Sequence, residues 1–180
     1  MLNVIAAHAI TLAATFPLAG LDAGLTAVPD SAALSYYEGN WTCEGDSNAD
    51  AGAAHHEKGQ LQVTRKARGL YVYVWASEPS GADAEGRKVI SLAGYDPLGR
   101  RLVRIGISSQ GGFAHLTSDG WSGDTFAWEG IITAQGGDRM TVRATDTKVD
   151  DDTFETRLDV AKGDGDWTTA GSGTCTRVTP

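Results

Sequence analysis

Leu70-Tyr71-Val72-Tyr73-Val74-Trp75 is β-branched or aromatic at almost every position, the composition of a strand packed on both faces. Alternation sets Tyr71, Tyr73 and Trp75 on one side and Leu70, Val72 and Val74 on the other. One of the two sets must line an interior. Outward from this stretch the chain keeps the same period, with Gly- or Asp-containing turns about every ten residues.

Downstream, Lys88 to Tyr95 reads as the next strand. The turn Asp96-Pro97-Leu98-Gly99 follows, in which Pro97 sets the bend and Gly99 is expected to take the positive φ. Arg101–Ser108, Phe113–Asp119, Phe126–Ile132, Met140–Ala144, Phe154–Val160 and Trp167–Arg177 continue the series. Phe154 to Val160 alternates apolar with charged residues, which means one dry face and one wet face. Upstream, Lys58–Lys66 and Trp41–Gly45 bring the total to about ten strands. So many consecutive antiparallel strands must curl to hide their edges, and a closed ring of eight to ten leaves an interior for one small ligand. The expected fold is all-β, an up-and-down antiparallel barrel. A short helix precedes it, from Asp30 to Glu38, with Asp30 or Ser31 as cap and Gly39 as stop.

Residues 1–29 read as a signal peptide or leader and residues 30–180 as the barrel domain. Val4 to Leu25 is rich in Ala, Leu and Ile, interrupted by Pro17, Gly20 and Gly24, with small residues near Ala27 and Ala33 for cleavage. No Lys or Arg precedes the apolar stretch, which is atypical of such leaders. A periplasmic or secreted location is expected, with no membrane insertion once the leader is removed. The net charge of -8 disfavours nucleic acid and anionic surfaces as partners. The two cysteines, Cys43 and Cys175, stand at opposite ends of the barrel segment. Closure would make the first and last strands neighbours, so the sulfurs would bond across the seam, for about 4–5 kcal/mol on the chain-entropy account. Two unrelated buried thiols are the alternative.

Gly39-Asn40-Trp41-Thr42-Cys43-Glu44-Gly45 has the form G-x-W-x-x-x-G on the opening strand, and Gly94-Tyr95-Asp96 leads into a turn. On these residues the chain resembles the calycin superfamily, and more narrowly the uncharacterised bacterial lipocalin-like proteins related to nitrobindin. The resemblance covers roughly Leu34 to Arg177. It implies that Trp41 plugs the closed end and that Arg177 lies across the ring. A guanidinium over the indole would add ~0.5–2 kcal/mol. Nitrobindin relatives carry haem through a His near the C-terminal strands. Asp166 to Pro180 holds no His, so no haem and no other cofactor is expected.

The remaining chemistry is sparse. In His55-His56-Glu57 only His55 and Glu57 can share a face, and two ligands do not make a zinc site, so no metal is expected. Gly45-Asp46-Ser47 resembles a hydrolase nucleophile motif but lacks its downstream Asp-x-x-His. No catalytic residue stands out. Candidate pocket residues are Tyr71, Tyr73, Trp75, Tyr95, Arg104, His115 and Trp128, with Glu129 as a second polar anchor beside Arg104. The function expected from this pattern is an exported barrel holding an apolar or amphipathic small molecule. The alternatives are a cavity enzyme of the isomerase or cyclase type, and a structural barrel with a filled core.

Overall fold

The computed structural model describes residues 29–48, 55–67, 69–79, 85–161, 163 and 165–179. The expected leader lies outside the described residues. Eleven strands form one antiparallel sheet: β1 (Gly39–Ser47), β2 (His55–Ala67), β3 (Leu70–Ser77), β4 (Lys88–Asp96), β5 (Arg101–Ser108), β6 (Gly112–Ser118), β7 (Trp121–Ser122), β8 (Thr125–Ala134), β9 (Arg139–Lys148), β10 (Thr153–Ala161) and β11 (Thr168–Arg177). Each pairs with its sequence neighbour, except that β6 pairs with β8 and the two-residue β7 folds back on β8. β1 pairs with β11, so ten strands close into a ring with no free edge.

The closing seam is tight. Cys43 faces Cys175 in register, their Cα atoms 4.0 Å apart, and the two are joined as a disulfide across 132 residues. Gly45 stands opposite Gly173 two residues further along. A Cβ at Gly45 would fall 2.1 Å from the carbonyl oxygen of Ser172, so no side chain fits there. A bond of this kind belongs to an oxidising compartment.

One end of the barrel is stoppered. Pro29–Tyr37 is a 3₁₀ helix in place of the expected α-helix at Asp30–Glu38. Its buried residues, Ser31, Leu34 and Tyr37, recur every third position, the spacing that aligns side chains at three residues per turn. Leu34 and Tyr37 enter the ring beside Trp41, Phe126 and Phe154. Indole N–H groups latch the helix from both sides: Trp41 donates to the Tyr37 carbonyl and Trp121 to the Ala33 carbonyl, each at 2.8 Å. Arg177 lies over the Trp41 ring, Cζ 4.0 Å from its centroid. The same guanidinium donates to the carbonyls of Glu38 and Tyr36 and to Asp152, binding helix, last strand and the β9–β10 turn together.

Two local expectations are corrected. The positive φ of the β4–β5 turn falls on Arg100, at 52°, and not on Gly99. The Asp96 carboxylate accepts from the amides of Leu98 and Gly99, which holds both in a right-handed turn and passes the reversal to the next residue. The second concerns β3, which packs on one face only. Tyr71 and Tyr73 are buried, whereas Leu70 is exposed and Val72 and Val74 are half-buried on the outer wall.

Candidate functional site

The end opposite the plug is open. Here a cavity of about 170 Å³ lies between the seam and the facing strands. Its walls include the Cys43–Cys175 strand pair, Gly45, Gly171 and Gly173 on one side, and Trp75, Glu57 and Arg87 on the other, with Thr156 and Leu158 of β10 adjoining. The three seam glycines let the two strands approach closely, since a Cβ at Gly45, Gly171 or Gly173 would meet the backbone of the facing strand. Arg87 pairs with Glu57 at 3.1 Å, fixing the rim between β2 and the start of β4. The Arg87 Nε is buried and makes no hydrogen bond. A volume of this order admits a molecule the size of a single aromatic ring, and more where part of the ligand projects from the mouth.

A polar cluster occupies the lumen, held by four walls. Thr156, which lines the cavity, hydrogen-bonds the carboxylate of Asp146 on β9. From the plug, the Tyr37 hydroxyl donates to the same carboxylate at 2.9 Å. Burial lifts the Asp146 carboxyl above the ordinary range, against the pull of those two hydrogen bonds and of the Arg104 charge. Burial also pushes the phenols of Tyr37 and Tyr73 well up, with Asp146 adding to the effect on both. Arg104 reaches inward from β5 over the Tyr73 ring, Cζ 4.5 Å from the centroid, with Trp128 at 6.0 Å. Among the described residues it makes these ring contacts and no hydrogen bond. The Tyr73 hydroxyl is buried and likewise has no hydrogen-bond partner. A buried donor left unmade costs about 1–3 kcal/mol, so the Tyr73 hydroxyl is an expensive feature for a purely structural core.

The seven pocket candidates divide. Tyr73, Arg104 and Trp128 come together in the lumen, and Trp75 stands at the mouth. Tyr71 and Tyr95 belong to the stoppered end instead, where Tyr95 pairs with fully buried Leu102 and Tyr71 hydrogen-bonds Glu38. His115 is exposed on the outer wall, between Ile105 and Ile131 in register, so it cannot line the interior. Its neighbour Leu116 takes the inward place, because adjacent residues on a strand point oppositely. Glu129 also faces out and pairs with Arg143 at 2.6 Å. His56 points outward to Asp46, while His55 stands opposite Ser47.

Asp146, Tyr37, Thr156 and Arg87 are absent from the candidates that the sequence suggests. Thr145-Asp146-Thr147-Lys148 looks like the polar end of a strand closing at Ala144. In the fold β9 runs on to Lys148, and the parity of Met140, Val142 and Ala144 carries Asp146 inside. That parity was the available signal.

No protein-family model and no curated protein matches the chain. Solved structures do. The crystal structure of Rv2717c from M. tuberculosis is similar over 84% of this chain and 98% of its own, with a TM-score of 0.61 and 12% identity. The likeness is one of fold. It shows this chain to be a closed, lipocalin-like antiparallel barrel of ten ring strands. Two redesigned barrels lie further off: b11L5F_LGL, with a TM-score of 0.38, 17% identity and coverage of 82% and 96% of the two chains, and mFAP1 bound to DFHBI, with a TM-score of 0.44, 12% identity and coverage of 81% and 98%.

Proposed function

We propose that this protein is an exported carrier that holds an amphipathic small molecule in the open half of its barrel. The observation that supports it most is the pairing of Arg104 and Tyr73. An inward guanidinium stacked on a phenol, with neither group hydrogen-bonded, is a receptor for a head that accepts hydrogen bonds. The body of such a ligand packs in the mouth against Trp75, Leu158 and the bare seam glycines, with its head directed past Thr156. The cavity's size favours a body of one ring over a long chain. The leader-like N-terminus together with the disulfide supports the export part of this reading.

A second reading, a cavity enzyme, draws on Asp146, a buried carboxylate with a raised pKa. Its oxygens are engaged by Tyr37 and Thr156, which suits a brace between plug and wall better than a free base. The carrier reading is therefore preferred.

The test compares 4-phenylbutyrate with 4-phenylbutanol by isothermal titration calorimetry, alongside native mass spectrometry of protein from its own source for a co-purifying ligand. The acid should bind at least about tenfold more tightly than the alcohol, since hydrogen bonds to a charged group contribute roughly 1.5–3 kcal/mol. Arg104→Met should abolish that difference and leave the alcohol's affinity nearly unchanged. Equal binding of acid and alcohol by the parent protein, or an unaltered preference in the variant, would remove Arg104 as anchor.

A further inference from the structure

The outer wall of β4, β5 and β6 inverts the usual pattern of a soluble barrel. On β4, Ser91 is buried while Ile90 and Leu92 are 56% and 51% exposed; on β5, Arg104 faces in while Ile105 and Ile107 are 44% and 64% exposed. The exposed residues are contiguous. Ile90, Ile107 and Phe113 stand in register across three strands, and Leu92, Ile105, His115 and Ile131 across four. Val72 and Val74 extend the rows onto β3. Charged residues of both signs, Lys88, Arg101, Glu129 and Arg139, border the patch.

We infer that this wall is the interface of a two-fold homodimer. The six large apolar residues, each left about half exposed, present on the order of 500–600 Å², the upper end of what a monomer leaves bare. Two such walls face to face, with Val72, Val74 and His115 included, remove about 1,200–1,500 Å² from water, the size at which specific interfaces begin. The anatomy agrees: an apolar centre free of Lys, Arg, Asp and Glu inside a charged rim. The closed ring offers no strand edge to a partner, so association must be wall to wall. A broad sheet wall also meets its own copy well under two-fold symmetry, since every patch residue then serves both partners. Lipid suits the wall less well. A membrane barrel carries its apolar band round the whole circumference, whereas here β9, β10, β11 and β1 present Thr, Arg, Glu and Asp outward.

The experiment is sedimentation equilibrium of the full chain up to about 100 µM, beside Ile107→Glu, Phe113→Glu and, on the opposite wall, Thr174→Glu. Because the first two positions are already 64% and 46% exposed, near-UV circular dichroism should show both variants folded. The parent chain and Thr174→Glu should sediment as dimers. The two wall variants should weaken dimerisation by about 100-fold or more, as a buried unpaired charge at the centre of an interface does. A parent chain monomeric throughout the range, or a dimer indifferent to both wall variants, overturns the inference. So does a monomer that floats with phosphatidylcholine vesicles, which would assign the wall to lipid. Ligand binding by the calorimetric comparison above is read separately, so either proposal can fail alone.

Discussion

At the scale of single residues, the lumen holds Asp146 by geometry, and burial disfavours its charged form. Tyr37 and Thr156 hydrogen-bond its carboxylate, and Arg104 adds a favourable field, yet desolvation outweighs all three and the pKa rises. The sign of its contribution to stability follows. A carboxyl that holds its proton more tightly folded than unfolded supports the fold while protonated. That support is present below the ordinary Asp range, near 3.9, and is lost as pH climbs through the raised folded value. Asp146→Asn keeps an acceptor for Tyr37 and cannot ionise. The stability of the parent chain relative to this variant should therefore fall as pH rises out of the acid range and then level off. The drop is about 1.4 kcal/mol for each unit by which the folded pKa exceeds the unfolded one. Urea unfolding of both proteins across that range measures it. A difference independent of pH would mean that Asp146 titrates alike folded and unfolded.

At the scale of strands, the seam between β1 and β11 decides whether the sheet is a ring or a ribbon. Seven register pairs join the two strands, and the disulfide ties one of them covalently. Replacing both cysteines by serine should leave the barrel closed but lower its stability by about 2–5 kcal/mol, since the bond restrains a very long loop in the unfolded chain. A urea midpoint that hardly moves would show the backbone pairing sufficient by itself. This seam was legible in the sequence because the two cysteines sit in the first and last strand-like runs, and closure brings those runs together. Strand faces were legible where the alternation is polar against apolar, as from Phe154 to Val160. They were not legible on β5 and β6. Both faces there carry apolar residues, so parity has no contrast to work with, and Arg104 inside and His115 outside look alike in sequence. The plug escaped for another reason. Its α-like composition says nothing of the three-residue stripe that docking imposes on Ser31, Leu34 and Tyr37.

At the scale of the whole molecule, the barrel is solid at one end and open at the other. Trp41, Leu34, Tyr37, Phe126 and Leu102 are all but inaccessible at the plug, whereas the inward residues Leu61, Trp75, Ala144 and Leu158 keep part of their surface. Local opening costs least where few apolar contacts are lost, so amide exchange should be faster around the mouth than around the plug. Occupation of the lumen should change only one of these. With saturating 4-phenylbutyrate, protection should rise at the mouth ends of β1, β2, β10 and β11, among them Gly45, Glu57, Leu158 and Gly171, and remain flat near Trp41 and Phe154. Hydrogen exchange read by mass spectrometry resolves the two ends. Uniform protection along every strand would indicate that the ligand stabilises the fold globally by mass action and not through a docking place at the mouth. Protection confined to β4, β5 and β6 would place the ligand on the outer wall, where a second copy of the chain is expected to sit.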